Sequence, residues 1–234
     1  PDRAAILTPV VAGNGDIVIA TFNGDVTKIA RDGTQKWSVQ LGGKIVASPV
    51  IDRLGNIYVS DYENGLVYSL NEHGQRNWPL GDSVAIAVGS KIYGTPLLIE
   101  DAATTKLVIP GFAKSGSCFK DGLVQACLWY EIQTFNAITG EKLDSVTSSY
   151  PIYSALNIGG GNIVALNSAS EFITITTSAT LENGQWPKQQ LTVQNNASPI
   201  DTDGDSYVDS FDDFPTDSSE WLDTDLDGIG NNTD

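Results

Sequence analysis

The sequence is poor in reactive side chains. Its 234 residues include one histidine, His73, two cysteines and no methionine. A nucleophile–histidine–carboxylate triad needs its histidine in a cleft. His73 stands in a Glu-His-Gly turn, so a surface position is expected and such a triad is not. Two cysteines and one remote histidine are too few for a zinc site. There are 13 basic residues against 29 acidic ones, and they do not cluster. Release of counterions from nucleic acid needs clustered Lys and Arg, so DNA or RNA is not an expected partner. The same shortage argues against anionic lipid. No run of 18 apolar residues occurs, so no transmembrane span is expected. With no methionine and no signal peptide at Pro1, we read the chain as a processed or truncated product.

The charge is unevenly placed. Of the net −16, residues 201–234 supply 12 acidic groups and no Lys or Arg. Residues 1–200 keep 17 acidic and 13 basic residues, a net of −4. The chain therefore divides into an ordinary body, 1–200, and a polyanionic tail, 201–234. Cys118 and Cys127 have eight residues between them. A local disulfide closing that loop is worth about 2–3 kcal/mol in the chain-entropy model. It points to a periplasmic or extracellular setting. Two unpaired buried thiols are the alternative.

The body repeats itself. Gly15, Gly24, Gly33 and Trp37 map onto Gly55, Gly65, Gly74 and Trp78 at offsets of 40, 41, 41 and 41 residues. Each unit begins with an apolar strand, Ile17-Val18-Ile19 or Ile57-Tyr58-Val59. An Asn-Gly turn (Asn23-Gly24, Asn64-Gly65) follows, a pair that suits a tight hairpin because both residues tolerate positive φ. An alternating strand comes next, with Val26 and Ile29, or Leu66, Tyr68 and Leu70, as expected buried positions. A second turn, Asp32-Gly33 or His73-Gly74, leads to a short strand carrying the tryptophan. Between units stands a small residue, proline and branched aliphatics: Thr8-Pro9-Val10, Ser48-Pro49-Val50, Thr95-Pro96-Leu97, a degraded Ser154-Ala155-Leu156, and Ser198-Pro199-Ile200. The third unit carries an insertion around the cysteines, roughly residues 112–128. The fourth keeps Gly161-Asn162-Ile163-Val164-Ala165-Leu166 and Asn183-Gly184-Gln185-Trp186.

Four strands per roughly 40-residue unit describe an all-β chain of β-propeller-like blades. Stacking blades covers both faces of each sheet, which explains strands apolar on both sides. A sandwich or solenoid with coincidental spacing is the alternative. The unit grammar resembles the pyrroloquinoline-quinone-type propeller repeat, in Ser48-Pro49-Val50, Gly55-Asn56-Ile57-Tyr58-Val59, Gly65-Leu66-Val67-Tyr68-Ser69-Leu70, Gly74 and Trp78. That resemblance speaks to fold and poorly to function. Only four units are complete, so the sequence leaves open whether the array closes.

The tail carries the most specific chemistry. Asp201, Asp203, Asp205, Asp209 and Asp212 occupy positions 1, 3, 5, 9 and 12 of a twelve-residue loop. Asp223, Asp225, Asp227, Asn231 and Asp234 repeat the spacing 22 residues later. Calcium is a hard cation that takes six to eight oxygens at about 2.3–2.6 Å. Carboxylates at 1, 3 and 5 can face one centre while the chain curls around it. Tyr207 and Ile229, at position 7, would each add a backbone carbonyl, and Gly228 would give the sharp turn. Each pair of like charges at 4 Å costs about 1 kcal/mol even in water, so calcium is the expected cofactor. The linker Asp212-Asp213-Phe214-Pro215-Thr216-Asp217-Ser218-Ser219-Glu220 makes the tail resemble thrombospondin type 3 repeats. The resemblance implies that Asp213, Asp217 and Glu220 join or bridge ions.

These readings converge on a secreted or cell-surface, calcium-binding module without catalysis. Its propeller loops would meet a protein or glycan partner, in adhesion or assembly. Two alternatives remain: a fragment of a propeller enzyme (a quinoprotein-like dehydrogenase or a polysaccharide lyase), or a subunit of a calcium-dependent homo-oligomer or filament.

Overall fold

The computed structural model describes residues 7–78, 85–88, 91–92, 94–100, 104–120, 122–159, 162–176 and 180–181, and in the tail 202–203, 205, 207, 212–224 and 227–233. The described residues contain no helix. They form four antiparallel sheets. The first is β1 (Val10–Val11), β2 (Ile17–Ala20), β3 (Asp25–Ile29) and β4 (Gln35–Gln40), in that order. The second is β5 (Val50–Ile51), β6 (Ile57–Asp61), β7 (Leu66–Leu70) and β8 (Ile86–Ala87). The third joins β9 (Leu97–Glu100), β10 (Thr105–Lys120), β11 (Leu123–Asn136) and β12 (Lys142–Ser148). The fourth is β13 (Ile152–Gly159), β14 (Asn162–Asn167) and β15 (Phe172–Thr176). A last strand, β16 (Thr180–Leu181), leaves the fourth sheet and pairs with β9 of the third.

Sheets and sequence units coincide. Gly24, Gly65, Gly33 and Gly74, the marker glycines of the turns, all have positive φ. Residues anticipated at Gly161 and across 183–200 lie outside the described residues.

The sheets stack in chain order through three apolar cores. Val18, Ala20 and Val26 of the first sheet meet Ile57, Val59 and Leu70 of the second. Val50, Tyr58 and Val67, on the other face of the second sheet, meet Leu98, Leu107 and Phe135 of the third. Leu97, Ile99 and Ile132 of the third meet Ile152, Ile163 and Ala165 of the fourth. Strand β6 is buried along its whole length because both its faces are covered. Strand β2 alternates, because one of its faces has no sheet packed against it among the described residues.

A tryptophan latch ties successive units. The Trp37 indole N–H donates to the Glu72 carbonyl at 2.7 Å, and the ring lies over Gly74 in the second turn of the next sheet. Trp78 repeats this one unit on, donating to the Ile138 carbonyl at 3.2 Å beside Gly140. The turns are held by side-chain carbonyls and carboxylates that accept from the amides two and four residues ahead: Asp52, Asn71 and Asn167 each do so.

Several details differ from the sequence reading: Leu66 is only half-buried, and Trp78 lies before the last strand of its sheet, β8, instead of in it. Ile29 is only half-buried, and Lys28 beside it is the buried residue. Alternation puts Lys28 on the same face as Val26, and its ammonium is held by Asp16 at 3.4 Å. The insertion expected around the cysteines is present. Strands β10 and β11 simply run on past the sheet as a two-stranded ribbon. A bulge marks its root: Pro110 and Gly111 oppose Ile132 alone, between the pairs Ile109–Gln133 and Phe112–Glu131. Along the ribbon Cys118 pairs with Gln125 and Gly116 with Cys127.

Asp16 gives a pH test of the first junction. Burial pulls its carboxyl upward, but hydrogen bonds from Lys36 and Asn14 and the charges of Lys28 and Lys36 outweigh burial, so it sits below 3.8. A depressed carboxylate contributes stability above its unfolded value, lost as pH falls through the folded one. Asp16→Asn leaves the Lys28 charge buried without its partner, a change worth roughly 3–5 kcal/mol. Urea unfolding at neutral pH should show this loss. The gap between variant and parent should shrink once pH falls below about 4, where the unfolded carboxyl protonates.

Candidate metal centre

The tail folds back onto the turn ends of the first two sheets. Arg53, in the turn between β5 and β6, donates to the Asp213 carboxylate and, at 3.0 Å, to the Asp223 carbonyl. The same Asp213 oxygen accepts the Asp223 amide at 2.8 Å. Tyr207 and Trp221 stack with ring centroids 5.0 Å apart and planes 4° off parallel. Burial raises the Tyr207 hydroxyl, and the carboxylates of Glu72, Asp205 and Asp16 raise it further. A cavity of about 190 Å³ lies at this seam, lined by Lys28, Arg53, Glu72, Tyr207 and Trp221 among others.

Within the first loop, Asp203, Asp205 and Asp212 each bring a carboxylate oxygen within 4.8 Å of the other two. The loop amides position them. Asp203 Oδ1 accepts the Asp205 amide at 3.2 Å, Asp205 Oδ1 the Tyr207 amide at 2.7 Å, and Asp212 Oδ1 the Phe214 amide at 2.7 Å. Each such bond fixes one carboxylate oxygen. Asp203 Oδ2 is buried and has no hydrogen-bond partner among the described residues; Asp205 Oδ2 is buried as deeply. Burial pushes the Asp212 carboxyl up, and the charges of Asp205, Asp203 and Asp213 add to this against the Phe214 hydrogen bond, bringing it to about 6. Three carboxylates this close form an all-oxygen donor set, which suits a hard divalent ion. Asp201 and Asp209, the other acidic positions of the loop, lie outside the described residues.

The second loop is arranged differently. Asp223 Oδ2 accepts the Gly228 amide at 2.8 Å, Asp227 Oδ1 the Ile229 amide at 2.8 Å, and Asn231 Oδ1 the Thr224 amide at 3.0 Å. Gly228 has φ +88°, the turn expected at position 6. No three acidic groups of this loop converge among the described residues; Asp225 and Asp234 lie outside them. In the linker, Asp213 is engaged by Arg53, Asp217 caps Ser219, and buried Glu220 accepts from the Asn232 amide and the Thr233 hydroxyl. Hydrogen bonds from Ser219 hold the Asp217 carboxyl below its usual value.

Sequence reasoning missed Arg53 and the Tyr207–Trp221 stack. A lone arginine in an Asp-Arg-Leu-Gly turn gives no signal that an acidic segment 160 residues away docks on it.

No family model matches the chain, and no curated protein matches it in sequence. Solved structures do resemble it. The WD40 domain of Neurospora crassa Pan2 aligns with a TM-score of 0.51 at 10% identity, over 79% of this chain and 50% of that one. BBS1N, solved in complex with ARL6DN, gives 0.51 at 13%, over 77% and 51%. The computationally designed Ika4 protein gives 0.50 at 11%, over 76% and 94%. The chain is built of β-propeller blades. It spans about half the length of the Pan2 and BBS1N chains it matches. No helix among the described residues is long and apolar enough to cross a membrane.

Proposed function

We propose that this chain is an extracellular, calcium-binding module without catalytic activity, in which pyrroloquinoline-quinone-type blades form a scaffold and thrombospondin type 3-like loops hold calcium. The observation that carries this reading is the convergence of Asp203, Asp205 and Asp212 within 4.8 Å. Calcium would neutralise their repulsion and fill the space toward which the buried Asp203 oxygen points. Magnesium fits less well, since it holds its waters and demands strict octahedral geometry. A disulfide between Cys118 and Cys127 belongs with an oxidising compartment, where calcium is plentiful. Adhesion or assembly through the blade loops, with a protein or glycan partner, follows from the scaffold reading.

Calorimetric titration of the metal-stripped chain tests the metal claim. Calcium should bind with a dissociation constant of about 10⁻⁴–10⁻³ M, the range of extracellular modules. Asp203→Asn together with Asp205→Asn should remove the first loop's share of that heat while leaving the blades folded by circular dichroism. Absence of calcium binding in the parent chain, or an unchanged isotherm in the double variant, would remove the site from the first loop.

A further inference from the structure

The seam between tail and blades holds chemistry that the aspartates of the first loop do not use. The cavity there, about 190 Å³, is walled by both parts of the chain. The first two sheets and their turns contribute Lys28, Arg53 and Glu72; the tail contributes Tyr207 and Trp221. Lys28 is 4% exposed. Its ammonium carries three donors, and Asp16 Oδ2 stands 3.4 Å from it. Lys36 takes that same oxygen at 2.6 Å. One shared oxygen leaves donor capacity on Lys28, and a buried charge needs its hydrogen bonds met. On the tail side, the Tyr207 hydroxyl and the Trp221 indole N–H have no hydrogen-bond partner among the described residues. Glu72 adds an acceptor, a carboxylate on a side chain that is 59% exposed.

The charges of the walls are balanced. Lys28 is met by Asp16 and Arg53 by Asp213. The carboxylates of Glu72, Asp205 and Asp16 all lie within electrostatic reach of the Tyr207 hydroxyl. They would repel an anion at that wall, and Lys28 and Arg53 would repel a cation at theirs. The chemistry therefore selects a neutral ligand that both donates and accepts. Size narrows it further. The space is smaller than the roughly 300 Å³ at which pockets for drug-sized ligands begin, so it suits a single small ring. A pyranose is neutral, has that size, and carries hydroxyls that each donate and accept. Its C–H faces match the remaining walls, Leu54, Leu222 and the aromatic pair.

We propose that this cavity binds one neutral sugar ring, held by Lys28 and Glu72 on the blade side and by Tyr207 and Trp221 on the tail side. The site is composite: without the docked tail, two of its four polar groups are missing. It goes beyond the calcium reading and does not need it. Arg53 ties the tail to the second sheet through the Asp213 carboxylate and the Asp223 carbonyl, with no ion involved.

Saturation-transfer NMR on the full chain tests it, with the methyl glycosides of glucose, galactose and mannose as probes, in calcium and in chelator. At least one should bind with a dissociation constant of about 1 mM, ordinary for so small a ligand. Glu72→Ala with Tyr207→Phe removes one acceptor and one donor but keeps the ring stacked on Trp221 and the main chain of the first loop. It should weaken binding roughly tenfold or more at an unchanged melting temperature. If the double variant melts lower, Tyr207→Phe alone carries the comparison. A signal in calcium, in chelator or in both supports the proposal. A signal in neither overturns it. So does binding of equal strength in variant and parent, or methyl glucuronide binding more tightly than every neutral probe, which would assign the cavity to an anion.

Discussion

Removing calcium with a chelator should loosen the tail and lower the melting temperature while leaving the four sheets assembled. An ion that binds only the folded loop stabilises it by RT ln(1 + [L]/Kd). With a dissociation constant of 10⁻⁴–10⁻³ M and calcium near 10 mM, that is roughly 1.5–3 kcal/mol per site. The loss should concentrate where Asp203, Asp205 and Asp212 face one another. A protease should then cut first within 201–234, and a second, higher melting step should persist for the body. Calcium should restore both signals and sodium should not. Equal protease resistance with and without chelator would show that Arg53 and the Tyr207–Trp221 stack hold the tail by themselves.

Replacing Gly111 with alanine should damage the body more than any surface change. Gly111 sits at φ +77° in the bulge at the root of the ribbon, and a Cβ there would lie 1.7 Å from the Ile152 carbonyl oxygen. That oxygen belongs to β13, the strand by which the fourth sheet packs on the third, so it cannot move alone. A left-handed alanine costs about 1–2 kcal/mol, and the backbone clash should bring the total to roughly 3–5 kcal/mol. Gly122→Ala separates the two effects. Its φ is +81°, but the space above it is open, so it should lose only the conformational part. Urea midpoints of the two variants measure the difference, and equal midpoints would mean the third and fourth sheets do not meet at Gly111.

Much of the body was legible because its signals are local. Gly24, Gly33, Gly65 and Gly74 mark turns that need positive φ, and a side chain at any of them would resist that backbone. Strand β6 reads as apolar on both faces because it is packed on both faces. Ile29 was expected buried and Lys28 was not anticipated there, because burial of a charge depends on a partner, and Asp16 precedes the neighbouring strand at no fixed sequence offset. The insertion at 112–128 was legible from the length of its unit, but its strand character was not, because its outer positions, Leu123 and Val124 among them, are exposed without being polar. A strand leaving a sheet keeps its hydrogen bonds but loses the face that imposes alternation. In the tail, the 1-3-5-9-12 spacing pointed to Asp203, Asp205 and Asp212 because a curling loop brings alternate residues inward. Where the tail docks depends on Arg53 and Trp221, and complementarity across such distances has no periodic trace.

The tryptophan latch also bears on how the array comes together. A ring seated in the next unit's turn can be placed only after that turn exists, so the first two units are each completed by their successor. Assembly should then be sequential and cooperative, each new unit repaying an entropy debt left by the one before it, with fraying starting at whichever end lacks a neighbour.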